Sequence, residues 1–125
     1  MRLTRALPAA LLLLIPVQQA MAGAAAVDPA RGKVIAEVRC TPCHHLDRTS
    51  KRIGPGLKGI YGRKPTITGV PFSHWDAAAL DAWISNPRAI KPNTEMVRLP
   101  ISARDRADLI AWFKADKAES ESAAK

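Results

Sequence analysis

Both cysteines of the chain lie in one five-residue run, Cys40-Thr41-Pro42-Cys43-His44. Three chemistries use a pair of thiols at this spacing. A thioredoxin-like redox pair needs a β-α-β setting, and no such pattern surrounds the run. A structural zinc site needs four ligands, and no second Cys/His pair stands at finger spacing. Covalent haem attachment needs only this arrangement. The run is expected to continue the first helix, so that Cys40, Cys43 and His44 stand at i, i+3 and i+4 on one face. The two thiols can then add to the two vinyl groups on one edge of a haem. His44 comes up beneath the ring, where a nitrogen can bind iron.

A second axial ligand follows by elimination. The methionines are Met1, Met21 and Met96. The first two belong to an N-terminal segment expected to be removed, which leaves Met96 in the Pro-started loop Lys91-Pro92-Asn93-Thr94-Glu95-Met96. A lone methionine is ordinarily a core filler. Here an iron needs a partner and few soft ligands exist, so Met96 is the expected sixth ligand. The rivals are His45, which points around the helix away from His44, and His74, beside Trp75 in a loop.

These residues need elements to position them. Asp28-Pro29 reads as an N-cap followed by proline at the first helical position. Val34, Ile35 and Val38 then recur at helical spacing up to Cys40. From 46 to 74 the chain carries Gly54, Pro55, Gly56, Gly59, Gly62, Pro65, Gly69 and Pro71. These break any long helix or strand. Asp76 to Ser85 is helical again, with Leu80, Trp83 and Ile84 on one face. Asn86-Pro87 ends it, and at most one short turn follows at 87–90. Ser102 and Asp105 form a capping-box pattern for a last helix over about 103–117. Its apolar stripe is Leu109, Ile110, Trp112 and Phe113, and 118–125 is expected to fray. There is no useful β-alternation and no internal repeat, so an all-α domain of three main helices around a loop-rich middle is expected.

Composition bounds the rest. The chain has 125 residues, enough for one domain, and 47% are hydrophobic, so it has apolar surface to bury. Only 5% are aromatic, which makes a thin core unless a large apolar group helps to fill it. Arg2 and Arg5, the apolar run from Ala6 to Ile15 and the sequence Ala20-Met21-Ala22 form a secretory signal peptide. Pro8, Pro16, Gln18, Gln19 and Gly23 make the same stretch a poor membrane anchor. Cleavage after Ala22 leaves a single domain over 23–125 and lowers the net charge from +8 to +6. A periplasmic location follows, with no stable membrane insertion after cleavage. The basic balance does not mark a nucleic-acid binder, since the chain is exported and its basic residues form no single helical stripe.

Taken in order along 28–116, these segments resemble the class I, mono-haem cytochrome c family, in its mitochondrial-like bacterial soluble form. Gly32-Lys33 is similar to the family's first helix, and Cys40 to His44 to its attachment motif. Gly54-Pro55-Gly56-Leu57-Lys58-Gly59-Ile60-Tyr61-Gly62-Arg63 resembles the loop on the histidine side of the haem. Trp75-Asp76, Leu80-Asp81-Ala82-Trp83 and Asn86-Pro87 resemble the middle helix. Pro92 to Met96 resembles the methionine loop, and Arg106 to Trp112 the last helix.

The resemblance implies the class I cytochrome c fold, wrapped around one haem c attached through Cys40 and Cys43, with iron held by His44 and Met96. It implies that the Pro55 carbonyl accepts the other ring N–H of His44. Arg63 and Trp75 would hydrogen-bond a haem propionate, and Thr94 would steady a propionate or the methionine loop. Gly32 would let the first helix cross closely over Leu109 and Trp112. The chain departs from longer members between Arg63 and Trp75, where only 11 residues stand and none is tyrosine; Ser73 or His74 is the candidate substitute. Asn93 and Glu95 replace the family's frequent Gly and Lys beside the methionine.

With both axial positions filled there is no open site for substrate, so the expected function is one-electron transfer, not catalysis. The carrier, expected to be a monomer, would run between a quinol-oxidising complex or dehydrogenase and an oxidase or reductase. The alternative is a dedicated electron-transfer subunit of one periplasmic dehydrogenase. A gas-binding cytochrome would need an open sixth position. Lys51, Arg52, Lys58, Arg88, Lys91 and Arg98 would form a basic face for acidic-faced redox partners.

Overall fold

Four helices and the loops between them are set out by the computed structural model, which describes residues 25–125. The expected signal peptide, 1–22, lies outside the described residues. The helices are α1 (Pro29–Arg39), α2 (Ala77–Ser85), α3 (Pro87–Ile90) and α4 (Ala103–Ala123). Among the described residues there is no strand.

Each helix begins where a short polar side chain satisfies its free N–H groups. The Asp28 carboxylate accepts from Ala30 and Arg31, and Pro29 opens α1. Asp76 accepts from the Ala79 N–H at 2.8 Å to start α2. Asn86 ends α2, and its side chain caps α3 through Ala89. Ser102 accepts from the Asp105 N–H at 3.1 Å. The Asp105 carboxylate is engaged across the helix pair with Arg31, so the capping box is served by its serine half.

α1 and α4 pack against each other more extensively than any other two helices. Gly32 makes this possible. A Cβ there would lie 2.0 Å from the Asp108 carbonyl oxygen and 2.9 Å from the Leu109 nitrogen, so the two backbones are in contact. At Gly32 the closest approach is to the backbone of Asp108 and Leu109. Ala36, one turn on, is also fully buried.

Two expectations are corrected. The attachment run does not prolong the first helix, which stops at Arg39 with Cys40 as its C-cap. Pro42 has no N–H to offer the Val38 carbonyl. The Thr41 hydroxyl meanwhile takes the Glu37 carbonyl at 2.6 Å. One α-type closure survives beyond the end, from the His44 N–H to the Cys40 carbonyl at 2.9 Å. At the other terminus, residues 118–123, expected to fray, are helical. α4 runs to Ala123, and the Ser120 and Ser122 hydroxyls bond back to the Asp116 and Ala118 carbonyls.

The long Gly/Pro segment is held by loop-to-loop backbone bonds in place of regular structure. Gly54 N–H donates to Cys43, Leu57 N–H to His45, Gly62 N–H to Trp75, and Trp75 N–H to Arg63, all at 2.7–2.9 Å. Behind it lies a small core of Ala36, Ile60, Trp75, Ala79, Leu80, Trp83, Ile84, Ile101, Leu109 and Phe113. Trp75 and Trp83 meet edge-on within it, their ring centroids 5.6 Å apart.

Candidate cofactor-binding site

The turn that follows α1 separates the two thiols. Cys40 is buried and Cys43 exposed. Burial, with a smaller effect from neighbouring Cys43, pushes the Cys40 thiol up to about 11. His44 follows, half-buried, and its Nδ1 lies 2.7 Å from the Pro55 carbonyl oxygen. A carbonyl can only accept, so Nδ1 carries the proton and Nε2 keeps its lone pair for a metal. Gly54 lets the loop come this close: a Cβ there would stand 2.3 Å from His44 Cε1.

The loop from Gly54 returns to the core through paired backbone bonds. Gly62 N–H donates to the Trp75 carbonyl at 2.9 Å and Trp75 N–H to the Arg63 carbonyl at 2.8 Å. Arg63 and Trp75 are therefore neighbours across the short 64–74 loop. The Arg63 Nη2 donates to the Gly56 carbonyl at 2.6 Å, and burial holds its guanidinium below its ordinary pKa. His74 and Ser73 are both exposed and lie 3.3 Å from each other, Nδ1 to Oγ.

On the other side of the core, the loop after α3 presents Met96. Its N–H donates to Thr94 Oγ1 at 3.3 Å, and Thr94 N–H donates to the Lys91 carbonyl at 3.0 Å. The Met96 sulfur accepts from the Trp83 indole N–H at 3.0 Å. Sulfur has a second lone pair, which this bond leaves available.

Sequence reasoning did not mark three of these residues. Trp83 shares a helical apolar face with Leu80 and Ile84 and so reads as core; only the polar N–H of an indole hints at a further partner. Gly54 reads as one loop breaker among many. Asp116 carries no local signal, yet it is buried in α4 and accepts from both Lys58 Nζ, at 2.6 Å, and the Gly59 N–H, at 2.8 Å. Lys58 is thereby engaged in an ion pair and does not belong with the free basic residues, which is a correction. Arg52 donates to the Thr41 carbonyl at 2.6 Å, beside the attachment run. Among the described residues Lys51, Arg88, Lys91 and Arg98 form no ion pair.

The donor set suits one large apolar cofactor better than a bare ion. Among the described residues no group of three or more His, Cys, Asp or Glu could hold a metal ion. An imidazole nitrogen, a thioether, two thiols and two edge-on indoles are of the chemical types a haem uses: candidate iron donors, covalent attachment points and apolar walls.

Comparison with known proteins points the same way. The family model described as cytochrome c matches residues 29–115. The chain is 34% identical over 97 residues to a cytochrome c of Euglena viridis, covering 70% of this chain and 95% of that one. It is 33% identical to cytochrome c 2.1 of Caenorhabditis elegans, covering 74% and 93% respectively. It is 34% identical to cytochrome c2 of Rhodomicrobium vannielii, covering 71% and 79%.

Proposed function

Because the chain belongs to the cytochrome c family, whose cofactor is covalent haem c and whose role is electron transfer, we propose that it is a periplasmic one-electron carrier with His44 and Met96 as axial ligands. The observation that carries this reading is the 2.7 Å contact of His44 Nδ1 with the Pro55 carbonyl, directly after a Cys-x-x-Cys pair. It orients the ring and places a proton on Nδ1, which leaves Nε2 as the nitrogen that can bind a metal.

Haem c, when bound, supplies reversible exchange of a single electron. The chain's own residues set the terms of that exchange. Cys40 and Cys43 are the attachment points. His44 is held by Pro55 in the tautomer that can bind iron. Met96 offers a neutral thioether, which favours the reduced state over the oxidised one relative to an anionic ligand, and the loop bond to Thr94 steadies it. Trp75 and Arg63, brought together by the backbone pairing, are the donors available to a buried carboxylate, which is costly when left unpaired. With His44 and Met96 both holding the iron, no position on it would remain for a substrate, and the role would be that of a carrier.

The basic start and the Ala20-Met21-Ala22 end of the first segment support export. Among the described residues no helix is long and apolar enough to cross a membrane. Lys51, Arg52, Arg88, Lys91 and Arg98 favour acidic donors and acceptors, such as a quinol-oxidising complex or dehydrogenase on one side and an oxidase or reductase on the other.

The decisive experiment is a visible spectrum of the reduced, exported protein with and without carbon monoxide, paired with its intact mass. One covalent haem, a mature N-terminus at Gly23 and no response to carbon monoxide are expected. Replacing Met96 with Ala should open the iron to carbon monoxide. A colourless chain with two free thiols ends the reading, and ready carbon monoxide binding by the wild type removes Met96 from it.

A further inference from the structure

We propose that Asp116, near the far end of α4, is a positioning residue for His44, acting through the loop that carries the Pro55 carbonyl. The proposal rests on the reading of His44 as an iron ligand.

Asp116 is only 7% exposed. Both of its carboxylate oxygens are used: Oδ1 accepts from Lys58 Nζ at 2.6 Å and Oδ2 from the Gly59 N–H at 2.8 Å. A buried carboxylate is costly unless its oxygens are satisfied, and here both satisfying groups come from two consecutive residues of one loop. Gly59 sits at φ +61°, in the left-handed region that glycine adopts without strain.

The other ties of this loop differ in kind. Gly54 N–H donates to Cys43, Leu57 N–H to His45, and Lys58 N–H to Arg48 at 3.4 Å. These run to the segment that itself bears His44, so they fix the loop to its immediate neighbour. Arg63 Nη2 to the Gly56 carbonyl runs within the loop. The Gly62 and Trp75 backbone bonds tie the far end of the loop to the entry of α2; Asp116 is the tie to α4, and it grips the loop between that end and Pro55.

That link closes a circuit. His44 follows α1, α1 crosses α4 in backbone contact at Gly32, and α4 carries Asp116. Asp116 holds Lys58 and Gly59, and Pro55, a few residues upstream, holds His44 Nδ1. The imidazole is thus set against a frame anchored at both ends. A carbonyl that drifts from Nδ1 weakens the bond, lowers the basicity of Nε2 and lets the ring turn. The Gly59 N–H bond is the operative tie, because it holds backbone directly; the Lys58 ammonium rides on a flexible stem.

The test uses the exported, haem-loaded protein as Asp116→Ala, Asp116→Asn and wild type. Two quantities are measured: the exchange rate of the His44 Nδ1–H by NMR in the reduced state, and the reduction potential. Asp116→Ala should speed exchange about tenfold, through easier local opening, and raise the potential as the imidazole becomes a weaker donor to the oxidised iron. Asp116→Asn keeps an oxygen for the Gly59 N–H and should stay close to wild type in both. If Asp116→Ala does not mature, Asp116→Ser, whose hydroxyl is too short to reach Gly59, takes its place. A lowered melting temperature with unchanged exchange and potential would overturn the proposal, leaving Asp116 a purely structural buried acid. Asp116→Asn shifting as far as Asp116→Ala would also overturn it, by placing the effect in the charge. Failure of the underlying reading shows separately: the wild-type His44 ring protons would then lack the large shifts of an iron-bound imidazole.

Discussion

The indole N–H of Trp83 donates to the sulfur of Met96 at 3.0 Å, joining the middle of α2 to the loop after α3. A donor at the sulfur of an iron ligand places positive charge density where the oxidised metal needs negative. Trp83→Phe keeps an aromatic ring and removes the donor. It should lower the reduction potential. A differential of about 0.5–1 kcal/mol for the lost bond corresponds to about 20–40 mV for one electron. A redox titration reads this directly. A potential that stays put or rises would mean the bond does not persist once Met96 binds iron.

The Gly32 crossing should be intolerant of any side chain. The added Cβ meets the Asp108 backbone, which cannot rotate away as a side chain could. Gly32→Ala should cost about 1–3 kcal/mol by forcing α1 and α4 apart, and Gly32→Val more. Urea unfolding at constant m-value checks it, and an unmoved midpoint would show that the helices can separate freely.

Acid should loosen the same interface. The Asp108 side chain is fully buried, and its carboxyl is held below the usual carboxylate range by the Asp28 N–H, and then by Arg31 and Arg104. A depressed folded-state pKa contributes stability that is present above the unfolded value, about 3.9, and is lost as pH falls through the folded value. The stability gap between wild type and Asp108→Asn should therefore be constant from neutral pH down to about pH 5 and close below about pH 4. A gap that narrows on the alkaline side instead would place the linkage in another group.

Docking should follow the cations that the fold leaves unpaired. Lys91→Glu and Arg98→Glu should slow electron transfer with an acidic partner at low salt and flatten its salt dependence. The Debye length near ~8 Å at physiological strength screens such steering. Neutralising both members of the Lys58–Asp116 pair, as Lys58→Met with Asp116→Asn, should leave the salt dependence as it is, because the pair carries no net charge. Stopped-flow rates from about 20 to 300 mM salt measure this. Equal effects from the doubly neutralised pair and from Lys91→Glu would mean that pairing does not sort the charges.

Much of the site is legible along the chain because its signals are local. The spacing of Cys40, Cys43 and His44 lies within a single turn. Asp28-Pro29, Asp76, Asn86-Pro87 and Ser102 mark helix ends through groups at most three residues away. The proposal of Met96 comes from counting methionines, and the Gly/Pro run 54–71 announces a loop. The resemblance to a family adds Pro55, Arg63, Trp75 and Thr94, which no spacing reveals.

What only the tertiary structure decided are the pairings between distant residues. Trp83 and Met96 are 13 apart in sequence, Lys58 and Asp116 are 58, and Arg31 and Asp108 are 77. A tryptophan on an apolar face and an aspartate in a polar helix look alike whether or not a partner arrives. Burial is what gives each its meaning, since a buried donor or charge must find a partner and a solvated one need not. The helix ends that reading along the chain misplaced have different origins, one local and one tertiary. At Arg39 the helix gives way because Pro42 withholds a bond. At Ala123 it persists past its expected end, and Ser120 and Glu121 of its added turns lie beside Tyr61 and Arg63 of the loop, a neighbour invisible from the polar tail alone.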